Sequence, residues 1–149
     1  MNLGVNNKPL GRVLQFIGVP AGAKVFKSFA IPDWILENKR FFSRFINRLY
    51  SCEGCVDRFS ACIDFDMYKH ENLINNHFEF FFQIKNGLKE HFGIECTQPF
   101  LKGKSVRKDT KITLGIHMKI KKKESLNLFA SEIGFDNKEK MKKLLEIIG

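Results

Sequence analysis

Residues 110–120, TKITLGIHMKI, alternate apolar and polar side chains without a break. A period of two is the signature of a β-strand with one face buried, because successive side chains leave a strand on opposite sides. Ile112, Leu114, Ile116, Met118 and Ile120 are expected to face inward, and Lys111, Thr113, His117 and Lys119 outward. Such a strand cannot stand alone. It needs neighbouring strands to take its backbone hydrogen bonds and a second layer to cover its apolar face.

The chain offers both. From residue 57 the same period appears, with Phe59, Ala61, Ile63, Phe65 and Met67 on one side. Arg58, Ser60, Cys62, Asp64, Asp66 and Tyr68 take the other, and a hairpin is expected to fold near Arg58 and Ser60. A further strand is expected near 94–101, followed by KGKSVRKD (102–109) as a basic hairpin loop. Helical spacing marks 8–18, 37–53 and 71–92, and two more helices carry Leu126, Phe129 and Ile133, then Met141, Leu144, Leu145 and Ile148. Between the first two, 19–35 reads as an extended linker broken by Pro20, Gly22 and Pro32, with Trp34 and Ile35 as its anchors. The order is helix, two strands, helix, two strands, helices. It predicts an α+β fold, αββαββα, with an antiparallel four-stranded saddle sheet and helices on one face. Residues 1–36 would form an N-terminal helix and linker packed on a domain of 37–149.

The other face of that sheet would be open, polar and mostly basic. The chain has 25 Lys and Arg against 16 Asp and Glu, a formal charge of +9, which favours an anionic partner. A densely charged, solvated surface is the competing explanation. No apolar run approaches a membrane span, and the polar start MNLGVNNKPLG has no signal-peptide character, so no membrane partner and a cytoplasmic location are expected. The four cysteines include a C-x-x-C at Cys52 and Cys55, with no second pair or histidine pair at zinc spacing. All four are expected to be small buried thiols.

One residue resists this reading. The helix over 37–53 ends on Glu53 followed by Gly54, and a helix C-terminus carries partial negative charge that disfavours a carboxylate by roughly 0.3–1 kcal/mol. The stretch around it, FINRLYSCEGCV, resembles the core motif of LAGLIDADG homing endonucleases: Ile46 and Leu49 take apolar motif positions, Glu53 the acid and Gly54 the final glycine. LGRVLQFIGVPAGAKVFKSFAIPDWI upstream, HFGIEC after the middle helix and FASEIGFDNKEKMKKLLEII near the end resemble blocks of intein-type members in the same order.

The resemblance implies a homodimer that binds double-stranded DNA and cuts both strands, from an intron or intein host. It implies Glu53 as catalytic acid and ligand of Mg²⁺, or another divalent cation such as Mn²⁺, with Cys52 beside it. Lys121, Lys123 and Lys140 are the candidate catalytic lysines, and Arg48, Ser51 and Cys52 would line the dimer interface. Arg58, Ser60, Asp64, Lys111, Thr113, His117 and Lys119 would contact bases, and Lys102, Lys104, Arg107 and Lys108 phosphates. An inactive nucleic-acid-binding member of the same family, a regulator or splicing helper, is the alternative.

Overall fold

A computed structural model of the chain describes residues 7–19 and 21–149. Pro20, expected as a breaker, lies outside them, as do the first six residues on which the signal-peptide argument rests.

Two antiparallel hairpins make the sheet. β1 (Gly54–Asp57) pairs with β2 (Cys62–His70), and β3 (Phe100–Val106) with β4 (Ile112–Ile120). β2 and β4 pair in the middle, giving the order β1-β2-β4-β3. Ile63 lies opposite Ile120, Phe65 opposite Met118 and Met67 opposite Ile116, so the apolar sets of both central strands share one face. A slip of one residue would turn all of them to solvent, and this fixes the register. Between β3 and β4 the register shifts at Leu101 and Gly103.

Helices α1 (Lys8–Phe16), α2 (Asp33–Leu36), α3 (Lys39–Glu53), α4 (Ile74–Phe92), α5 (Lys123–Glu132) and α6 (Lys138–Ile148) complete the fold, with a 3₁₀ turn at Lys24–Phe26 and another at Glu71–Leu73. The Asn38 side chain starts α3 by accepting from the backbone N–H of Arg40 and Phe41. Phe42, Ile46 and Tyr50 then bury one stripe of it. The Tyr50 ring stacks on Phe65 of β2, with centroids 4.8 Å apart and planes 17° from parallel. Phe65 in turn meets Phe81 of α4, and Tyr50 meets Phe129 of α5. Helices and sheet are thus joined through contacting rings, each such pair contributing about 0.5–1.5 kcal/mol beyond its buried area. The α+β architecture with an antiparallel four-stranded sheet is the one the periodicities predict.

Several boundaries differ from expectation. The hairpin turns at 58–61, as expected, but Phe59 is fully exposed rather than inward and Ala61 takes a positive φ of 44°. Asp57 makes this turn: its Oδ1 accepts from the N–H of Phe59 and Ser60. The third strand is displaced to Phe100–Val106, and 94–99 has no regular structure. Most of the expected basic loop is therefore strand β3, and the tight turn lies at 107–111, where Arg107 N–H donates to Lys111 O. The linker is not simply extended, since it contains the Lys24–Phe26 turn and α2.

The segment leading to α2 is fastened to α4 by side-chain amides. Phe29 exchanges two hydrogen bonds with Asn76, and Ile31 N–H donates to Gln83 Oε1. Beneath it lie two buried ionisable groups. Lys69 donates from Nζ to Asn76 Oδ1 at 2.8 Å and sits 3.7 Å from the Phe29 ring centroid. Burial lowers its pKa to about 8. His77 is completely buried, with no hydrogen-bond partner for either ring nitrogen, and burial, then the Lys69 charge, lowers its pKa to about 4.

A histidine held neutral in the fold but protonated near pH 6.5 when unfolded makes stability full above that pH. Stability is then lost as pH falls through the window down to about 4. We expect a loss on the order of 3 kcal/mol across that window from this residue alone. Urea unfolding followed by circular dichroism at several pH values would show it, and His77→Leu should remove most of the acid-side slope.

Candidate nucleic-acid interface

β2 and β4 lie at the middle of the sheet, so the face away from the helices is built mainly by their outward residues. Cross-strand pairs there are Asp64 with Lys119, Asp66 with His117, Tyr68 with Gly115 and His70 with Thr113. β3 adds Phe100 opposite His117 and Ser105 opposite Thr113. The charges on this face meet one another. His117 Nε2 contacts Asp64 Oδ1, and Lys119 Nζ lies 3.6 Å from Asp64 Oδ2. Lys102 Nζ reaches Asp66 Oδ2 at 2.5 Å, and this bond raises the lysine's pKa. His117 is buried, and desolvation lowers its pKa although the Asp64 carboxylate opposes the change. The Phe100 ring stacks on it, centroids 5.0 Å apart and 26° from parallel.

The expected open basic ribbon is therefore corrected in detail. Thr113 and His117 are buried, because β3 and Phe100 close over them. Arg58 and Ser60 belong to the turn, and Arg58 pairs with Glu146 of α6 at 3.1 Å. Uncompensated positive charge gathers instead at the β3–β4 end. Lys104 and Lys108 form no ion pair among the described residues. Arg107 and Lys111 flank the Phe26 ring at 5.3 and 4.5 Å, and Arg107 Nε stands 3.6 Å from Asp109.

Glu53 sits elsewhere, at the junction of α3 and β1. Its carboxylate is paired with Lys24 of the 3₁₀ turn. Lys140 also comes to this helix end, donating from Nζ to Ser51 O at 2.7 Å and to Tyr50 O at 3.4 Å. Two lysines thus answer the negative pole that made an acid unexpected here. Lys121 and Lys123 do not join them: they lie exposed between β4 and the first turn of α5. Among the described residues no group of three or more His, Cys, Asp or Glu could hold a metal ion. Glu53 with its lysine neighbour does not by itself fit Mg²⁺, which takes several oxygen ligands.

Of the residues expected at a dimer interface, Arg48 and Ser51 make contacts within the chain and Cys52 is exposed. Ser43, Asn47 and Ser51 recur every four residues and face the segment between α5 and α6. Ser43 Oγ donates to Glu132 O, Asn47 Nδ2 to the carbonyls of Ile133 and Gly134, and Ser51 Oγ accepts from Asp136 N–H. Arg48 pairs with the Asp136 carboxylate at 3.1 Å. Cys52 and Cys55 are exposed, which corrects the expectation of four buried thiols. Cys62 is buried, and Cys96 is half-buried with its pKa pushed up to about 12 by desolvation. The sequence reading missed Phe100 and the pairing partners Lys24 and Asp66. An outward-facing aromatic at Tyr68 and another directly before a basic stretch were the available signals.

The chain is 27% identical over 152 aligned positions, 97% of its length, to tRNA-splicing ligase RtcB of Pyrococcus abyssi. It is also 27% identical over 141 positions, 91% of its length, to tRNA-splicing ligase RtcB of Methanopyrus kandleri. It spans only 16% and 14% of these relatives. No family model matches the chain. No solved structure matches it either. These findings overturn the LAGLIDADG resemblance. The relatives are named as enzymes acting on tRNA, which conflicts with the homing-endonuclease reading, its DNA cleavage and intein or intron setting, and with the inactive family member offered beside it. No described helix is long and apolar enough to cross a membrane.

The packing of α3 makes a distinct expectation for stability. Asn47→Ala leaves two buried carbonyls without their donor and should cost about 1–3 kcal/mol in urea unfolding. Arg48→Ala, which breaks an exposed pair, should cost under about 1 kcal/mol.

Proposed function

We propose that this chain is an RNA-binding unit of a longer enzyme of tRNA splicing, supplying affinity for tRNA while the joining chemistry lies in other parts of that enzyme. The similarity of 97% of the chain to a tRNA-splicing ligase carries this reading. The charge supports it: a chain at +9 attracts a polyanion, and Lys104 and Lys108 form no ion pair among the described residues. Lys104, Lys108 and Lys111, with Arg107, are proposed to hold RNA phosphates at the β3–β4 end. Lys121 and Lys123 lie at the opposite end of β4 and are not part of this cluster. Structured RNA is held mostly through shape, phosphates and 2′-hydroxyls, so a rim of flexible cations suits it.

Fluorescence anisotropy with a labelled transcript of a tRNA, compared with duplex DNA of equal length, tests this. The tRNA should bind more tightly, with affinity falling steeply as salt rises. The double variant Lys104→Ala, Lys108→Ala should weaken binding and reduce the log–log salt slope by roughly 1 per lost phosphate contact. Failure to bind tRNA at roughly 50 mM salt, or tighter binding to the DNA duplex, would overturn the proposal.

A further inference from the structure

We infer that Tyr68 and Phe100 form a stacking site for unpaired RNA bases on the open face of the sheet. The inference rests on the RNA-binding reading and says which part of an RNA this face takes. Both rings are large and apolar, yet they remain 38% and 46% exposed on the face the helices leave uncovered. Each is held in place from below. Phe100 lies against the buried His117 ring, and His117 is itself fixed by Asp64. Tyr68 lies over Gly115 of β4: a Cβ on that glycine would come within 2.7 Å of the tyrosine Cζ. The glycine is needed there so that the ring can rest on the neighbouring strand.

The two residues stand on β2 and β3, and both rings lean over β4 between them, Tyr68 over Gly115 and Phe100 over His117 two residues along. Asp66, bound to Lys102, stands on the same face next to Tyr68 on β2 and across His117 from Phe100, with Asp64 next along the strand. With Lys102, Lys119 and His117 against them these carboxylates leave this zone nearly neutral, and their remaining lone pairs can accept N–H donors of base edges. Lys119 pairs with Asp64 on this face, and Lys111 lies beyond it at the β3–β4 turn. Bases stacked on the two rings must be unpaired, because a paired helix shows base faces only at its ends. Stacking on aromatic side chains is tolerant of sequence and is a common means of holding single strands.

Binding of a single-stranded oligoadenylate and of a fully paired RNA duplex to the full chain decides the matter. Tyr68→Ala and Phe100→Ala should each weaken oligoadenylate binding by roughly 5- to 100-fold and leave the duplex nearly unaffected. Tyr68→Phe and Phe100→Tyr, which keep a ring, should stay within about threefold of the parent. Should truncation unfold the sheet by circular dichroism, Phe100→Trp replaces it: its added fluorescence should be quenched by oligoadenylate, and unchanged emission would overturn the site. Folded alanine variants that bind oligoadenylate like the parent, while tRNA still binds, remove the stacking site and leave the RNA-binding reading standing. A parent chain that binds no RNA removes both.

Discussion

No residue separates α3 from β1: Glu53 ends one and Gly54 begins the other. The rest of the molecule is arranged around that junction. Gly54 is the cross-strand partner of Phe65, and the Tyr50 ring of the last helical turn stacks on the Phe65 ring. Gly54 N–H donates to Tyr50 O, and a Cβ at Gly54 would stand 2.7 Å from that same oxygen. The glycine is required here for space. Its φ of −78° is one any residue can adopt. Helix, first strand and central strand are consequently fixed to one another within a few residues, and the helix end is placed where lysines from two distant segments meet it.

How far the sequence reveals this depends on whether the governing contact is periodic. β2, β4, α3 and α4 each bury one side, and burial of one side leaves a repeat that can be counted. β3 has neither side buried, so Lys102, Gly103, Lys104 and Ser105 follow no alternation and resemble a loop. The Asp57 turn depends on one side chain bonding its own backbone, which gives no repeat either. The polar stripe Ser43, Asn47, Ser51 does have helical spacing, but its partners lie more than 80 residues away. Polar spacing alone does not say whether water, another chain or a distant loop accepts the bonds. The likeness around Glu53 has a related cause. Of its motif positions Ile46 and Leu49 pack in or against the core and Gly54 is required for space, so these three carry information about a helix entering a sheet.

Charge shows the same division. The totals were readable at once, whereas their placement was not, because ion pairs across strands depend on register. Asp64 and Asp66 take up His117, Lys119 and Lys102, so the middle of the open face is nearly neutral and the excess lies at its margin. A polyanion would thus be gripped at the rim, with a central zone free for contacts of another kind. The fold achieves this with residues whose number in the sequence suggested a uniformly basic surface.

The register shift at Leu101 and Gly103 has one more effect. β3 is an outer strand, and outer strands offer unpaired backbone groups on which a foreign strand can grow. A local break in pairing, two lysines and a glycine make this border a poor template. The opposite border is only four residues long. Growth of a foreign strand is thereby discouraged at both edges of the sheet.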